Sequence, residues 1–300
     1  MKILEEKYPL GSIPNQITAG RYIDETLYTN LKILAKNITK DLTYLAVCSS
    51  STYEVGAGKS TFMSQIGEAY TDLVNQIHGT NLTFDMNNIV FRPKDLITRS
   101  FSLPKYSCII LDEWEDTHYW SEIGITLRQF FRKCRQLNLF MILIIPNFFQ
   151  LGINYAVSRS LFFIDVRFEG EFDRGYFKLY NYDSKKYLYL FGKKNQDYNA
   201  TKSDINGRFV DGYAVNEAEY KAVKLRDAIE SEDRVHEEKE KKELILKTLM
   251  CTILKKEFNL SSRKQEELFD RYNFHIGRDT ICGLIKESQE NLSLTEGAIL

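Results

Sequence analysis

Residues 53–61 read Tyr-Glu-Val-Gly-Ala-Gly-Lys-Ser-Thr, and this stretch decides the fold class. It ends in the last three positions of the phosphate-binding pattern G-x-x-x-x-G-K-[ST], which are Gly58, Lys59 and Ser60. Glycines let backbone N–H groups approach phosphate oxygens closely, and a helix that begins near Lys59 adds the positive end of its dipole. The stretch therefore predicts a phosphate-binding turn between a strand and a helix.

The first glycine position of this pattern is occupied by Tyr53, which departs from it. Gly56 can supply part of the missing flexibility, so we expect the loop over 49–55 to take an unusual path. A glycine-rich turn that precedes a lysine by chance is the alternative. An apolar strand before the turn, a helix after it and an acidic partner downstream argue against that alternative. The predicted nucleotide contacts are Gly56, Ala57, Gly58, Lys59, Ser60 and Thr61.

Three of these side chains are expected to contact the phosphates of ATP or its Mg2+ ion. Lys59 would reach the β- and γ-phosphates, and Ser60 would bind Mg2+. Thr61 would lie near the α-phosphate.

The acidic partner follows an apolar run. Cys108–Leu111 are followed directly by Asp112 and Glu113, which is the Walker B arrangement. Asp112 would hold magnesium through water, and Glu113 would polarise the attacking water as general base. The alternative is a strand that ends in a solvated acidic turn, and the glycine-rich turn upstream argues against it. Glu115 and Asp116 are expected to cap the next segment.

The fold class follows from how strands and helices alternate. The chain contains three continuous apolar runs, at Thr43–Cys48, Cys108–Leu111 and Phe140–Ile145. Continuous rather than alternating apolar residues indicate strands that are buried on both faces. Helices are predicted over 24–38, with Asp24 as N-cap, and over about 60–77. The order predicts an α/β fold of the P-loop NTPase (RecA/ASCE-like) class, with a mostly parallel sheet, helices on both faces and a small C-terminal helical unit.

The rest of the chain divides by composition. The segment 161–191 contains three aromatic-rich runs, LFFIDVRF, GYFKLYNY and KKYLYLFG, which we interpret as antiparallel strands that extend the sheet. Residues 216–248 alternate acid and base, which predicts a solvated connector helix. We therefore expect an N-terminal arm and helix over 1–40, an ATPase domain over 41–215, the connector, and a C-terminal helical domain over 249–300.

Two further groups of polar residues are candidates for the catalytic site. Asn147 follows the third apolar run, where motor-type P-loop ATPases often carry a polar residue that senses the γ-phosphate; a simple Pro-Asn turn is the equal alternative. A helix predicted over 122–137 carries Arg128, Arg132 and Arg135 at i, i+4 and i+7. This row and Arg159 are candidates for an arginine finger on a neighbouring subunit or for phosphate-backbone contacts. The alternative is a solvated basic face paired with acids.

The C-terminal residues resemble a helix-turn-helix. Helices are expected over 263–272, capped by Ser261 or Ser262, and over 278–288. Their shared core would be Leu268, Phe269, Ile281, Leu284 and Ile285. The side chains expected to face a major groove are Arg278, Thr280, Gly283 and Lys286. The alternative is a helical lid or a protein-docking unit.

The composition excludes several classes of function. The chain has 300 residues, 27% of them charged, and a net charge of -1, which excludes a uniformly basic nucleic-acid coat but not a local basic stripe. Five cysteines without a CxxC pair and four scattered histidines argue against a zinc site and indicate reduced, mostly buried thiols in the cytoplasm. The N-terminus lacks the apolar region of a secretory signal, and the longest apolar run, Leu137–Leu151, is too short to span a bilayer.

Taken together, these motifs resemble the FtsK/HerA-like P-loop ATPases, and most closely the Zot-like or viral and plasmid-borne members. The resemblance covers about residues 41–170 and rests on GAGKST, IILDEWE and LRQFFRKCRQLNLFMILIIPNFF. In that group an arginine-bearing helix follows Walker B, and here Leu127-Arg128-Gln129 and Arg132–Arg135 stand at that place. The sensor is usually a glutamine, whereas here it is Asn147. The resemblance implies a ring-forming homo-oligomer, with a hexamer as one option, that moves double-stranded DNA.

Four functions are consistent with these patterns. The first is an ATP-hydrolysing, Mg2+-dependent DNA motor or translocase of a virus or mobile element, used in packaging, transfer or segregation. The second is an ATP-switched DNA-binding regulator or loader of the AAA+ style. A small-molecule or polynucleotide kinase is disfavoured because Glu113 argues for water as the nucleophile. A non-enzymatic scaffold is disfavoured because Lys59, Ser60, Asp112 and Glu113 are all present.

Overall fold

The structure is a computed structural model that describes Leu4, Lys7, Tyr8 and residues 21–51, 56–113, 122–169, 173–272, 274 and 276–296. The chain divides into two units, Met1–Lys224 and Leu225–Leu300, and each unit is described by itself.

One seven-stranded sheet forms the centre of the first unit, in the order β2-β3-β4-β1-β5-β6-β7. The strands are β1 (Tyr44–Ser49), β2 (Ile89–Val90), β3 (Cys108–Leu111), β4 (Phe140–Ile144), β5 (Phe162–Glu169), β6 (Asp173–Tyr180) and β7 (Ile205–Arg208). The pairings from β2 to β5 are parallel, and β5-β6 and β6-β7 are antiparallel. The prediction of an α/β fold with a mostly parallel sheet is confirmed.

Helices pack on both faces of this sheet. They are α1 (Glu25–Asn37), α2 (Lys59–His78), α3 (Pro93–Ser102), α4 (Glu122–Lys133) and α5 (Tyr182–Gly192), and α6 (Glu217–Lys256) begins in this unit. One core cluster joins α1 and α2 to alternate residues of β1 such as Ala46, and the other joins α3, α4 and α5 to the intervening residues such as Val47. Because both sets of alternate residues are buried, the central strands are continuous apolar runs.

Single-turn elements link these helices and strands. Turns of 3-10 helix lie at Met86–Asn88, Cys134–Leu137 and Phe148–Gln150, and a π-helical turn lies at Asn154–Arg159. Asp24 begins α1 as predicted, because its carboxylate accepts from the N–H groups of Thr26 at 3.0 Å and Leu27 at 3.1 Å.

The interpretation of 161–191 as three antiparallel strands is wrong for its last run. The first two runs form β5 and β6, but KKYLYLFG lies in α5. Asn181 caps this helix by accepting from the N–H groups of Asp183 and Ser184. The buried residues of α5 recur at helical spacing, at Lys185, Leu188, Tyr189 and Gly192. The third antiparallel strand is instead β7, which is short and polar and was not predicted.

The second unit contains the rest of α6, then α7 (Ser262–Arg271) and α8 (Arg278–Glu296). The Ser261 hydroxyl accepts from the N–H of Lys264 at 3.4 Å and begins α7, close to the predicted start. A small core of Cys251, Phe269, Ile276, Ile281 and Leu284 holds the unit together. Of the predicted core residues, Leu268 and Ile285 are only partly buried. The expected connector over 216–248 is shorter than α6.

Two expectations about the whole chain can be compared with the described residues. Among them, no helix has both the length and the apolar character needed to cross a bilayer. Four cysteines are buried free thiols, at 48, 108, 134 and 251, whereas Cys282 is exposed. The prediction of mostly buried thiols is confirmed.

Substitution of Phe163 tests the packing of the core on one face of the sheet. Its ring is fully buried in β5 and stacks on Phe148 with ring centroids 4.0 Å apart. We expect Phe163→Ala to lower the free energy of unfolding by about 3–5 kcal/mol, because it leaves a cavity in a packed interior. Phe191→Ala, at a ring that is 67% exposed, should change it by less than about 0.5 kcal/mol. Urea unfolding measures both, and equal midpoints for the two variants would contradict this packing.

Candidate functional site

A cleft of about 920 Å³ lies at the carboxyl edge of the parallel strands. Because β1, β3 and β4 are parallel, the segments that follow them meet at the same edge. Gly56–Thr61 after β1, Asp112 and Glu113 after β3, and Asn147 after β4 all line this cleft. The structure thus brings together residues that the sequence places about ninety positions apart.

The glycine-rich turn requires its glycines. Gly56 has φ +96° and Gly58 has φ +91°, a region that favours glycine. A Cβ on Gly58 would lie 3.1 Å from the ring of Phe209, which itself stacks on Phe62 with centroids 4.5 Å apart. Helix α2 begins at Lys59, so its N-terminal N–H groups and its dipole are at the cleft. Tyr53 lies outside the described residues, as do Glu115 and Asp116.

The two carboxylates after β3 differ in their surroundings. Asp112 is buried, with 1% exposure, whereas the side chain of Glu113 is 61% exposed. Glu113 adopts a left-handed backbone with φ +60°, which is costly for a residue other than glycine and is common at functional sites. The bend aims Asp112 inward and leaves Glu113 at the mouth of the cleft.

Asp112 offers one free oxygen within the described part of the chain. Its Oδ2 accepts from the Tyr220 hydroxyl, and its buried Oδ1 has no hydrogen-bond partner there. The Ser60 side chain also interacts with the Tyr220 phenol, so Ser60 and Asp112 both lie beside Tyr220. A carboxylate oxygen beside a hydroxyl suits a hard divalent cation, which prefers oxygen ligands.

The described residues contain no group of three His, Cys, Asp or Glu side chains that could hold a metal ion. Magnesium often binds proteins through one or two carboxylates, with water and substrate phosphates completing its shell. Asp112 and Ser60 therefore fit magnesium that arrives with a nucleotide.

Burial and the negative charge of Asp112 raise the pKa of Tyr220 well above its ordinary value. The phenol consequently stays protonated and donates to the carboxylate. Lys224 lies next to it on the same helix, with its Nζ 2.6 Å from Glu113 Oε1 and 3.9 Å from Asp112 Oδ2. Both proposed catalytic carboxylates are thus in contact with α6.

Asn147 both makes a turn and lines the cleft. Its Oδ1 accepts from the N–H of Phe149 at 2.8 Å and begins the 3-10 turn, and its Nδ2 donates to Gln196 Oε1 at 2.7 Å. Tyr198 donates to the same Oδ1 at 3.3 Å. The turn is therefore observed, and the sensor role of Asn147 remains a prediction.

The predicted row of three arginines is wrong at its last member. Helix α4 ends at Lys133, because the Thr43 hydroxyl donates to the Cys134 carbonyl at 2.9 Å and the chain turns into a 3-10 segment. Arg135 leaves the helical face, and its Nε donates to the Asp41 carbonyl at 2.9 Å. Arg132 and Arg159 are exposed and lie away from the described lining of the cleft, so a role on a neighbouring subunit stays a prediction.

Sequence reasoning missed three residues at the site: Arg174 and Lys224, which line the cleft, and Tyr220, which donates to Asp112. Arg174 is the second residue of β6, and its guanidinium is 3.5 Å from where a Cβ of Gly56 would lie. No motif marks it, because it lies at the carboxyl edge only through the pairing of the start of β6 with the end of β5. Tyr220 lies in the segment interpreted as a solvated connector, and a lone aromatic residue in that charged run was the available signal.

Asp165 supports the start of the glycine-rich turn from β5. It lies opposite Ser49 in the sheet, and its Oδ1 accepts from the N–H of Ser51 at 2.7 Å. Burial raises the pKa of Asp165 to about 6, although hydrogen bonds from Ser51 and the charges of Arg167 and Lys178 oppose the rise. This carboxylate therefore fixes the chain as it leaves β1.

No protein-family model matches the chain, and no curated protein or solved structure is significantly similar to it. The chemistry of the cleft is inferred from its own residues.

Asp165 makes stability depend on pH. Its pKa in the folded chain, about 6, exceeds the ordinary value of 3.8, so the folded chain binds the proton more tightly. The free energy of unfolding should therefore fall as pH rises from about 4 to about 6 and stay low above that. We expect Asp165→Asn to remove this fall and to stabilise the chain near neutral pH by up to about 3 kcal/mol.

Chemical unfolding at several pH values measures this dependence. Asp95→Asn, at an exposed aspartate in the first turn of α3, should retain the dependence of the unmodified chain. An unchanged pH profile in Asp165→Asn would show that this carboxylate is not responsible.

Proposed function

We propose that the chain is a magnesium-dependent ATPase whose nucleotide binds in the cleft at Gly56–Thr61. One observation carries the proposal: the glycine-rich turn at the start of α2 lies in the same cleft as a buried aspartate with an unpaired oxygen and a second, exposed carboxylate. A phosphate-binding turn alone would support binding, and the second carboxylate supports hydrolysis.

Different residues of the cleft would bind the phosphates, hold magnesium and accept the proton. The N–H groups at the start of α2 and the Lys59 ammonium would bind the phosphates. Ser60 and Asp112 would hold magnesium, which when bound neutralises charge on the β- and γ-phosphates. Glu113 would take the proton of the attacking water, and its position at the mouth of the cleft gives water access to it. Arg174 adds a positive charge beside the turn.

Steady-state ATPase measurements test this assignment. We expect Glu113→Gln to lower kcat by about 10²–10⁴-fold with little change in nucleotide binding, because only the proton acceptor is lost. Lys59→Ala should weaken nucleotide binding by about tenfold or more, because a charged hydrogen bond is lost. Lys32→Ala, on the exposed face of α1, is the control and should match the unmodified chain. Full activity in Glu113→Gln would refute the role given to Glu113.

We propose further that hydrolysis drives a DNA motor formed by several copies of the chain. Support comes from the resemblance to FtsK/HerA-like ATPases and from the exposed Arg132 and Arg159, which are available to a neighbouring subunit. DNA backbones would be bound without sequence preference, as expected of a motor.

An ATP-switched DNA-binding regulator is the second candidate. The four residues proposed to face a major groove, Arg278, Thr280, Gly283 and Lys286, are all exposed on α8. The buried residues Ile281 and Leu284 hold this helix against Phe269 of α7. This arrangement leaves one face of α8 free for DNA.

DNA addition separates the two candidates. For a motor, we expect DNA of any sequence to raise ATP turnover several-fold at low salt, with the stimulation lost at high salt as counterion release predicts. For a regulator, binding should depend on sequence, and Arg278→Ala with Lys286→Ala should abolish it. Lys255→Ala, at an exposed lysine of α6, is the matched control. Turnover unaffected by any DNA would contradict the motor.

A further inference from the structure

The N-terminal two turns of α6 cover the residues that the proposed ATPase needs. Tyr220 donates a hydrogen bond to Asp112 and lies beside Ser60, the two proposed magnesium ligands. We propose that residues 217–224, here named the latch, are an autoinhibitory element that must withdraw before magnesium and nucleotide can bind. This inference rests on the proposed ATPase function.

Lys224 blocks the second catalytic group. Its Nζ lies 2.6 Å from Glu113 Oε1, so the oxygen that would accept a proton from water is already in an ion pair. While Lys224 stays at this distance, that oxygen cannot also accept a hydrogen bond from an attacking water in the same direction. The latch thus contacts the metal ligands through Tyr220 and the general base through Lys224, which lie at i and i+4 on one helical face.

The latch also forms part of the cleft wall. Glu217, Lys221 and Lys224 line the cleft, and Glu217 is paired with Lys221 at 2.5 Å. Because these charges offset one another, the latch opposes binding through its contacts with Asp112 and Glu113 rather than by repelling phosphates.

Packing holds the latch in place. The Tyr220 ring is buried, with its centroid 4.7 Å from that of Tyr213 and 5.7 Å from that of Phe91. Asn216 begins the helix by accepting from the N–H of Glu219 at 3.1 Å. These contacts do not involve the Tyr220 hydroxyl, so that hydroxyl can be removed while the helix stays packed.

Binding of a fluorescent, slowly hydrolysed ATP analogue tests the latch. If the binding-competent state is only fractionally populated, the apparent affinity is reduced by that fraction. Tyr220→Phe and Lys224→Met should each therefore tighten binding in magnesium by about tenfold, since each removes one charged contact of the closed state. Chelating magnesium should remove the gain in Tyr220→Phe, because its lost hydroxyl competes with the metal at Asp112.

Matched control variants remove a tyrosine hydroxyl and a lysine ammonium group outside the latch. Tyr70→Phe deletes the hydroxyl of a buried tyrosine in α2, and Lys247→Met breaks an exposed pair with Glu243 in α6. Both should bind the analogue as the unmodified chain does. As a second measurement, the analogue should raise the unfolding temperature of the two latch variants more than that of the controls.

The outcomes separate the latch from the ATPase proposal. If the unmodified chain and the latch variants bind equally, and Lys59→Ala binds weakly, the latch is wrong and the proposed function stands. If Tyr220→Phe or Lys224→Met binds more weakly, that side chain is a ligand and the latch is wrong. If the controls also bind more tightly, general loosening explains the gain and the latch is wrong. If no form binds nucleotide, both proposals fail.

Discussion

The parallel pairing of β1 with β4 and of β4 with β3 is the constraint on which the site depends. Parallel strands end at the same edge, so each strand delivers the residue that follows it to one place. The apolar character of these strands keeps them in the interior, because both faces of each are covered by helices. The burial that stabilises the sheet therefore also positions the glycine-rich turn, Asp112 and Asn147, although none of those residues contributes much apolar area.

The two carboxylates of the cleft face a hydrogen-bond donor and a positive charge from α6. Asp112 and Glu113 sit opposite Tyr220 and Lys224, so the carboxylates are partly neutralised by the chain itself. Burying a carboxylate is costly unless it is hydrogen-bonded or paired, and Asp112 has only one of its two oxygens satisfied within the described part of the chain. An incoming cation would relieve that cost, whereas loss of the α6 contacts alone would increase it. The same carboxylate can thus favour a closed helix or a bound metal, but not both fully.

Much of this arrangement could be predicted from the sequence, and the part that could not has a physical cause. The central strands, α1 with its Asp24 cap, and the start of α2 follow from local patterns of apolar residues and caps. The aromatic run in α5 predicts a strand as readily as a helix, and the buried side of this helix is set by packing rather than by composition. The end of α4 has no local signal, because the Thr43 hydroxyl that donates to the Cys134 carbonyl is distant in sequence.

Several residues at the cleft could not be predicted from sequence motifs. Arg174 lies there because β6 starts where β5 ends, and Phe209 lies there because β7 runs back to the carboxyl edge, as the pairing of Tyr176 with Arg208 shows. Tyr220 reaches Asp112 from a helix whose charged sequence predicts exposure. Contacts between separate segments leave no local sequence pattern, so motifs do not predict these residues.

Two buried ionisable groups show how the loops around the sheet are held. Asp165 accepts from the N–H of Ser51 beside the cleft, while Lys185 donates to the carbonyls of Val157 and Ser160 and to the Ser160 hydroxyl, where the π-helical turn ends before β5. Burial raises the pKa of Asp165 to about 6 and lowers that of Lys185 to about 7, so each charge is carried at a cost near neutral pH. Backbone groups at such turns cannot pair within a helix or a sheet, and leaving them unpaired in the interior would also be costly. The two side chains replace those missing pairings, and in doing so they fix the loop after β1 and the turn before β5, whose strands are neighbours in the sheet.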